Sequence, residues 1–317
     1  MTYDLAIIGG GPAGVAGGVY AARKQLKTLF LTESFGGQST ESMGVENWIG
    51  ITKISGVDLG KAFENHLRAV AGNVVDIHTG ERVLKIEKNG EIFSITTNKN
   101  QYESKTILIT TGSSRRKLDI PGAKEFENKG ITYCASCDGP LFAGQDVVVV
   151  GGGNAGFESA AQLLAYAKSV TLLSRSDTIK ADPLTIEKIQ THQNMKIIKN
   201  ATPIEIKGNT RPNDRLVGRE FVSSIVYEDI NKNKIELPVT GVFVEIGLIP
   251  TTNFVENLIE LNQIKQIPVD PKNQKTKVLG IWAAADCTDG LYHQNNIAAG
   301  DAVKALEDIY LYLHAGK

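Results

Sequence analysis

Short apolar runs that end in glycines mark both halves of the chain. Leu5–Ile8 and Asp146–Val150 each lead into a glycine-rich turn and then into an alanine-rich stretch typical of a helix. Unbroken apolar runs of this length are typical of parallel strands that are buried on both faces. A further apolar run follows each helix, at Thr28–Thr32 and at Val170–Leu173. The pattern predicts an α/β fold with two doubly wound, Rossmann-like units of one design.

The rest of the pattern predicts fewer elements. Residues 74–97 alternate apolar and polar positions and predict a small antiparallel appendage. Residues 204–237 are polar and predict several strands around an exposed loop at 208–213. From near Ile297 to the end of the chain the pattern predicts an amphipathic helix. Three more apolar runs predict buried strands: Ser104–Thr111, Gly241–Ile246 and Val278–Ala284.

The repeat of the strand–turn–helix pattern also predicts the domain organisation. Crossings near residues 116 and 245 would make 116–245 an inserted domain, and the segments 1–115 and 246–317 would form the other. The predicted helix of the inserted domain spans Phe157–Ala167.

Composition narrows the class of protein. The 317 residues are 42% hydrophobic and 22% charged, with a formal net charge of −1, so bulk charge gives no attraction to nucleic acid or to anionic lipid. The three cysteines fit a reducing compartment. The N-terminal residues lack the pattern of a signal peptide, and no apolar run is long enough to span a bilayer. These features predict a cytoplasmic protein.

The first glycine turn fits a dinucleotide fingerprint. Gly9, Gly11 and Gly14 match G-x-G-x-x-G between a predicted strand and a predicted helix, whose N-terminus attracts phosphate. Glu33 lies 33 − 14 = 19 residues beyond the last glycine, where an acid is expected to bind a ribose hydroxyl. The sequence therefore predicts one dinucleotide site here.

The second glycine turn repeats the fingerprint with a different charge. Gly151, Gly153 and Gly156 match it, and the position equivalent to Glu33 is 156 + 19 = 175, which is Arg175. A guanidinium at this position suits a 2′-phosphate, with help from Lys180. The pattern favours NADPH, and the alternative is that Arg175 is a solvated loop charge.

Between the two units lies Cys134-Ala-Ser-Cys137-Asp138. Two cysteines at this spacing can form a disulfide or open to a dithiol, and the adjacent carboxylate can move a proton on or off a departing sulfur. The spacing also suits half of a zinc site, but Cys287 and the five histidines supply no second ligand pair. The sequence therefore favours redox chemistry over a zinc site. The alternative to a proton-transfer role for Asp138 is that it is a turn residue before Gly139-Pro140.

Taken together, the motifs resemble those of the low-molecular-weight thioredoxin reductases. They are also similar to the flavoprotein part of the alkyl hydroperoxide reductase F subunit. The motifs that carry the resemblance span nearly the whole chain: Gly9–Gly14, Gly36-Gly37-Gln38, Val45-Glu46-Asn47, Tyr133–Phe142, Gly151–Gly156, Gly247–Pro250, Asp286 and Gln294.

The resemblance implies FAD at the first fingerprint, a nicotinamide at the second, a homodimer, and a thioredoxin or thioredoxin-like partner. It also implies that Cys137 is the sulfur nearer the flavin and that Cys134 attacks the partner. The implied FAD residues are Gly9, Gly11, Pro12, Ala13, Gly14, Glu33, Gly37, Gln38, Asn47, Thr111, Gly112, Asp286, Gln294 and Asn295. The implied NAD(P) residues are Gly151, Gly153, Asn154, Ala155, Gly156, Arg175 and Lys180.

Two departures bear on these expectations. Thioredoxin reductases usually carry His-Arg-Arg where this chain has Ser174-Arg175-Ser176, and the peroxide-reductase relatives tend to carry an acid in place of Ser174. NADH therefore stays open as the donor. Ala285 stands where the family usually has glycine, and we expect the added methyl to be tolerated.

Three alternatives to a thioredoxin reductase remain. The chain could reduce a peroxiredoxin through a glutaredoxin-like carrier, with NADH as donor. It could take electrons from ferredoxin, although the intact Gly151–Gly156 turn argues against this. It could also be a flavin-bound redox sensor. Cys287 is expected to be a small buried residue, and His293 to contact the cofactor or solvent.

Overall fold

A computed structural model describes residues 1–42, 44–210 and 220–315. The chain forms two compact units, one built from Met1–Ser114 with Ile249–Lys317 and the other from Arg115–Leu248. The second unit is thus inserted in the first. The first segment ends at residue 114, one residue before its predicted end at 115. The last segment begins at residue 249, three residues after its predicted start at 246.

Strands and helices follow one another closely along the chain. The elements up to residue 115 are β1 Thr2–Ile8, α1 Pro12–Arg23, β2 Thr28–Thr32, α2 Gly56–Ala71, β3 Val75–Thr79, β4 Val83–Asn89, β5 Ile92–Thr97, β6 Gln101–Ile109 and β7 Ser113–Arg115. The inserted elements are β8 Ile131–Thr132, α3 Ala135–Asp138, β9 Asp146–Val150, α4 Asn154–Leu163, β10 Ser169–Leu173, α5 Pro183–Gln190, β11 Met195–Ile198, β12 Thr202–Thr210, β13 Glu220–Glu228, β14 Lys234–Pro238 and β15 Gly241–Val244. The last elements are β16 Leu248–Pro250, β17 Ile281–Ala283 and α6 Asn295–Ala315.

The observed boundaries differ from the predicted ones because each crossing between the units falls inside a short strand. β7 and β16 pair as a two-stranded sheet at the two crossings. Strands of three residues carry too little periodicity to be recognised in a sequence.

The first unit is built on a sheet with the order β3-β2-β1-β6-β5-β4, and β17 also pairs with β6. β1 lies between β2 and β6 and is parallel to both, so the carboxyl ends of these strands share one edge. One face packs Leu5, Ile7 and Phe30 under apolar side chains of α1, α2 and α6. The other face packs Leu29 and Phe93 in a second core.

Two predictions in this unit were wrong in part. Residues 75–79 form β3, which is parallel to β2 and belongs to the main sheet, so the predicted appendage reduces to the hairpin of β4 and β5. That hairpin continues the main sheet because β5 pairs with β6. Helix α2 was not predicted, although Leu59, Phe63 and Leu67 repeat every four residues on its buried side.

The second unit is built on a fully parallel sheet with the order β11-β10-β9-β15-β8. The chain leaves β9 toward β10 on one side, while β15 pairs on the other, so the edge between β9 and β15 is the switch point where such sheets bind ligands. β12, β13 and β14 form a separate antiparallel sheet.

The predicted elements of the second unit also needed correction. Helix α4 ends at Leu163 rather than at Ala167, and β15 ends at Val244 rather than at Ile246. Residues 208–210 of the predicted exposed loop belong to β12, and residues 211–213 lie outside the described residues.

Candidate functional site

The three glycines of the first turn lie where a side chain would either collide with neighbouring backbone or occupy open space beside the turn. Gly9 has φ 117°, and a side chain there would collide with the carbonyl group of Thr110. A methyl group on Gly14 would overlap the carbonyl oxygen of Gly9, so this glycine lets α1 pack against the end of β1. Gly11 precedes α1 in extended backbone with nothing within 4 Å of its missing side chain. The turn therefore leaves an open cradle at the N-terminus of α1.

A cavity of about 440 Å³ opens beside this cradle within the first unit. Glu33 lies on its wall, is exposed, and forms an ion pair with Arg82 at 3.4 Å between Oε1 and Nε. Thr111 also lines it, and its hydroxyl donates to the Thr251 carbonyl at 2.7 Å. Sequence reasoning missed Arg82 and Thr251, which reach the wall from the β3–β4 connection and from the last segment of the chain.

A second group of predicted residues meets through Asp286. The Gln38 amide donates to Asp286 Oδ2 at 3.3 Å and to the Ser113 carbonyl at 2.6 Å. His293 Nδ1 lies 3.3 Å from Asp286 Oδ1. These contacts hold the Asp286 carboxylate between two neighbours, so its orientation is fixed before any ligand arrives.

A third group lies at the start of α6. The Asn47 amide donates to Gln294 Oε1 at 3.1 Å, and the Ser39 hydroxyl donates to Asn295 Oδ1 at 3.1 Å. Asn296 donates to the Asn47 carbonyl at 2.7 Å. The structure thus brings together side chains that lie about 250 positions apart in the sequence.

Ala285 has φ 72°, a left-handed conformation. The sequence could not reveal this cost, which is about 1–2 kcal/mol for a non-glycine residue. We predict that Ala285→Gly raises the free energy of unfolding by about 0.5–1 kcal/mol, because the relieved strain exceeds the added freedom of the unfolded chain. Urea unfolding measures the change. Ala283→Gly, in the buried strand β17, should have the opposite sign, and equal losses in both variants would contradict the interpretation.

The cysteine pair follows β8 in the second unit. Cys134 and Cys137 form a disulfide, and the backbone N–H of Cys137 donates to Cys134 Sγ at 3.1 Å. The Thr132 hydroxyl accepts from the Cys134 N–H at 3.3 Å and donates to Asp138 Oδ2. The carboxyl is therefore tied to the strand end that carries the disulfide.

Burial raises the pKa of Asp138 above its usual value, while the hydrogen bond from Thr132 and the positive charge of Arg115 lower it. Burial dominates. The group therefore keeps its proton to a higher pH than an ordinary aspartate does, as proton donation to a departing thiolate requires.

Arg115 and Glu245 were missed by sequence reasoning. Glu245 directly follows β15, and its side chain is 8% exposed. Its carboxylate accepts from the Ser159 hydroxyl at 2.7 Å and from Arg115 Nη1 at 3.3 Å. No local motif connects residues so far apart in the sequence, so only the adjacency of strand ends reveals the group.

The second glycine turn has the geometry of the first. Gly151 has φ 144°, and a side chain there would overlap the carbonyl of Glu245. Gly153 is extended and has open space around its missing side chain. The Lys180 N–H donates to the Gly152 carbonyl at 3.0 Å, and both Lys180 and Arg175 have exposed side chains. The structure thus places both predicted cations on the segment that follows β10, beside the glycine turn.

The remaining predicted residues of this turn have structural contacts. Asn154 accepts the N–H of Asp182 at 2.9 Å, which ties the turn to the start of α5. A methyl group on Gly156 would overlap the carbonyl oxygen of Gly151. Ala155 is exposed at the first turn of α4.

Across the described ranges 1–42, 44–210 and 220–315, no group of three or more His, Cys, Asp and Glu side chains could hold a metal ion. In the same part of the chain, every helix is too short or too polar to cross a membrane.

The chain belongs to the pyridine nucleotide-disulphide oxidoreductase family, whose model matches residues 3–302. Members of this family use FAD and a pyridine nucleotide. The chain is similar in structure to thioredoxin reductase from Giardia duodenalis, with a TM-score of 0.89, 31% identity, and coverage of 98% of this chain and 99% of that one. It is also similar to thioredoxin reductase from Streptococcus pyogenes MGAS5005, with a TM-score of 0.85, 32% identity and 99% coverage of both chains.

Curated relatives are longer than this chain. The F subunit of alkyl hydroperoxide reductase from Escherichia coli (strain K12) is 38% identical over 312 residues, which cover 98% of this chain and 58% of the relative. A protein named NADH dehydrogenase from Bacillus subtilis (strain 168) is 36% identical over 313 residues, with the same shares. The chain thus spans little more than half the length of these relatives. The comparisons confirm the predicted fold class and the resemblance.

Proposed function

We propose that the chain is a thioredoxin-disulfide reductase that passes electrons from NADPH through FAD and the Cys134–Cys137 pair to a protein disulfide. The observation that carries this proposal is a disulfide with a half-buried carboxyl beside it, whose pKa burial raises, in a chain with two separate dinucleotide-type glycine turns. The thioredoxin reductases named above support the choice of substrate.

The first unit fits FAD, and the second fits a nicotinamide. In the first, the open cradle at Gly11 suits a pyrophosphate, and Glu33 on the cavity wall suits a ribose. Thr111, Asp286 and Gln294 would supply further polar contacts to FAD. In the second unit, Gly153 offers the same cradle, and Arg175 and Lys180 supply positive charge nearby.

The chain's own residues would handle the sulfur chemistry. When bound, FAD supplies the two-electron step between the nicotinamide and the disulfide. Reduction breaks the Cys134–Cys137 bond with two electrons and two protons, and Asp138 would give one proton to the departing Cys134 sulfur. In the second half, Cys134 would return its proton to Asp138 and attack the partner's disulfide as a thiolate, while the departing partner sulfur takes a proton from solvent. Cys137 would then resolve the mixed disulfide and give its own proton to the second partner sulfur. This restores the internal disulfide and leaves the partner as a dithiol.

An anaerobic titration tests the proposal. The flavin-loaded protein should bleach fully with two equivalents of NADPH or NADH, one for the Cys134–Cys137 disulfide and one for the flavin, and the reduced protein should then reduce thioredoxin with formation of two thiols for each disulfide. Bleaching without thioredoxin reduction would instead favour the NADH-dependent carrier reductase, an interpretation that the names of the longer relatives support. If neither nicotinamide bleaches the protein but reduced ferredoxin does, the donor assignment is wrong.

The donor assignment rests on Arg175. We expect Arg175→Ala to raise the KM for NADPH about tenfold, because one charge-assisted hydrogen bond to the 2′-phosphate contributes about 1.5–3 kcal/mol. The KM for NADH should stay unchanged. Steady-state kinetics with both nicotinamides measure this, with Lys196→Ala as a control, since Lys196 is exposed on the neighbouring β11. Equal effects on both nicotinamides would remove Arg175 from 2′-phosphate recognition.

The role of Asp138 is separable from flavin reduction. Asp138→Asn should slow disulfide reduction about 10²-fold, in the range of general acid catalysis, and leave bleaching by NADPH unaltered. Since the pKa of Asp138 is raised, the wild-type rate should fall as pH rises through that pKa, and the variant should lack this limb. Stopped-flow absorbance resolves both steps. Asp146→Asn is the control, because Asp146 lies at the start of β9 with its side chain 40% exposed and pairs with Lys168. Parallel loss of both steps would exclude the assigned role.

A further inference from the structure

The group at Glu245 lies at the same end of the sheet as the disulfide. β8 and β15 are parallel neighbours, with Thr132 in register with Phe243. Thr132 anchors Asp138, and Glu245 is two residues beyond Phe243. Because side chains two apart along a strand point to one face, Asp138 and Glu245 approach the same face and the same edge. Helices α3 and α4, which contact each other, cover that face.

Glu245 has both its oxygens engaged. Ser159 on α4 donates to Oε1, and Arg115 donates to Oε2. Burial dominates and raises the pKa of Glu245 above its usual value, whereas Arg115 and Ser159 oppose this and lower it. A carboxylate this well buried needs a cation beside it to stay ionised, and Arg115 is that cation.

The same guanidinium acts on Asp138. Its positive charge lowers the pKa of Asp138 as well as that of Glu245. Few other charges face these groups in the described part of the chain. Glu158 is the ionisable residue of α4, and it acts on Glu245 by raising its pKa. α3 carries Asp138 itself, and the two residues of β8 are uncharged. One cation is therefore shared by two carboxyls.

We propose that Glu245 is a positioning residue: it holds the Arg115 guanidinium and partly neutralises it, so that Asp138 keeps the proton needed for disulfide reduction. The inference rests on the proposed role of Asp138 and adds to it a residue outside the C-x-x-C segment. Without the Glu245 charge, the full field of Arg115 would fall on Asp138 and favour its ionised form. Without Arg115, Asp138 would hold its proton more firmly. The two changes therefore act in opposite directions.

Carbon-13 NMR of selectively labelled aspartate carboxyls tests this on the oxidised full chain, with the Asp138 signal assigned from Asp138→Asn. We expect Glu245→Gln to lower the pKa of Asp138 by about one unit and Arg115→Gln to raise it by a similar amount. Glu236→Gln is the matched control: Glu236 also accepts from a serine and pairs with a basic residue, Ser224 and Lys207, but its side chain is 50% exposed. It should leave the pKa of Asp138 unchanged.

The pH profile of disulfide reduction provides a second readout. Its alkaline limb should move down in pH for Glu245→Gln and up for Arg115→Gln. If Asp138 shifts in the NMR titration but the limb does not move, the assigned role of Asp138 fails and the positioning role stands. If neither variant shifts Asp138, or both shift it in one direction, the positioning role is wrong. Should Glu245→Gln fold poorly with an unpaired Arg115, the double variant with both residues changed to Gln must still raise the pKa of Asp138.

Discussion

Cys134→Ser abolishes thioredoxin reduction, by about 10³-fold or more, while NADPH still bleaches the bound flavin. The expectation follows from the proposed path, because the serine hydroxyl cannot attack a disulfide at neutral pH as a thiolate does. Cys137→Ser should also abolish turnover, since the internal disulfide can no longer form. The measurement is a coupled turnover assay beside anaerobic stopped-flow absorbance.

Thiol counting gives an independent check of the pair. The chain has three cysteines, and two of them form the disulfide. Titration of the denatured oxidised protein should therefore find one thiol, Cys287, and the reduced protein should show three. Cys287→Ser is the control: the residue is fully buried and donates to the Ala284 carbonyl at 3.2 Å, a contact that serine can keep. Turnover in Cys134→Ser equal to that of Cys287→Ser would end the proposal.

Local sequence patterns were enough to predict the two glycine turns and the redox-active cysteine pair. The conformation of a G-x-G-x-x-G turn or a C-x-x-C segment is determined locally, because each is a few residues long and its function requires a particular backbone geometry. For that reason Gly9 and Gly151 have the positive φ that the motif requires. The same reasoning predicted the first two strands of each glycine-turn repeat to within a few residues.

Contacts between distant segments could not be predicted from spacing. Gln38 meets Asp286 and Asn47 meets Gln294 only because the last segment returns to the first unit. Here the resemblance to a family supplied the residues, and the residues alone did not. Arg115 and Glu245 lie outside the motifs of that resemblance, and they became visible only when strand order placed β8 beside β15. The left-handed Ala285 likewise needed the backbone.

The assignment of one nucleotide to each unit predicts that two alanine variants will each lose binding of one nucleotide and keep binding of the other. Gly11 and Gly153 both have ordinary extended backbone, with φ of −76° and −100°, and open space at the missing side chain. Alanine therefore fits both positions in the protein alone, and the loss of glycine freedom in the unfolded chain should stabilise each variant by about 0.4–1 kcal/mol. The methyl group would instead fill the cradle into which a pyrophosphate must fit.

Gly11→Ala should purify without flavin and bind added FAD about 10²-fold more weakly, while its nicotinamide-binding unit is unaffected. Gly153→Ala should keep a full complement of flavin and show a KM for NADPH raised about tenfold or more. Flavin absorbance and steady-state kinetics give both readouts, and urea unfolding verifies that each chain folds. Gly14→Ala marks the contrast, because its methyl would overlap the Gly9 carbonyl and destabilise the fold itself. A flavin-free Gly153→Ala beside a flavin-replete Gly11→Ala would reverse the assignment, since the cradle that loses FAD identifies the unit that binds it.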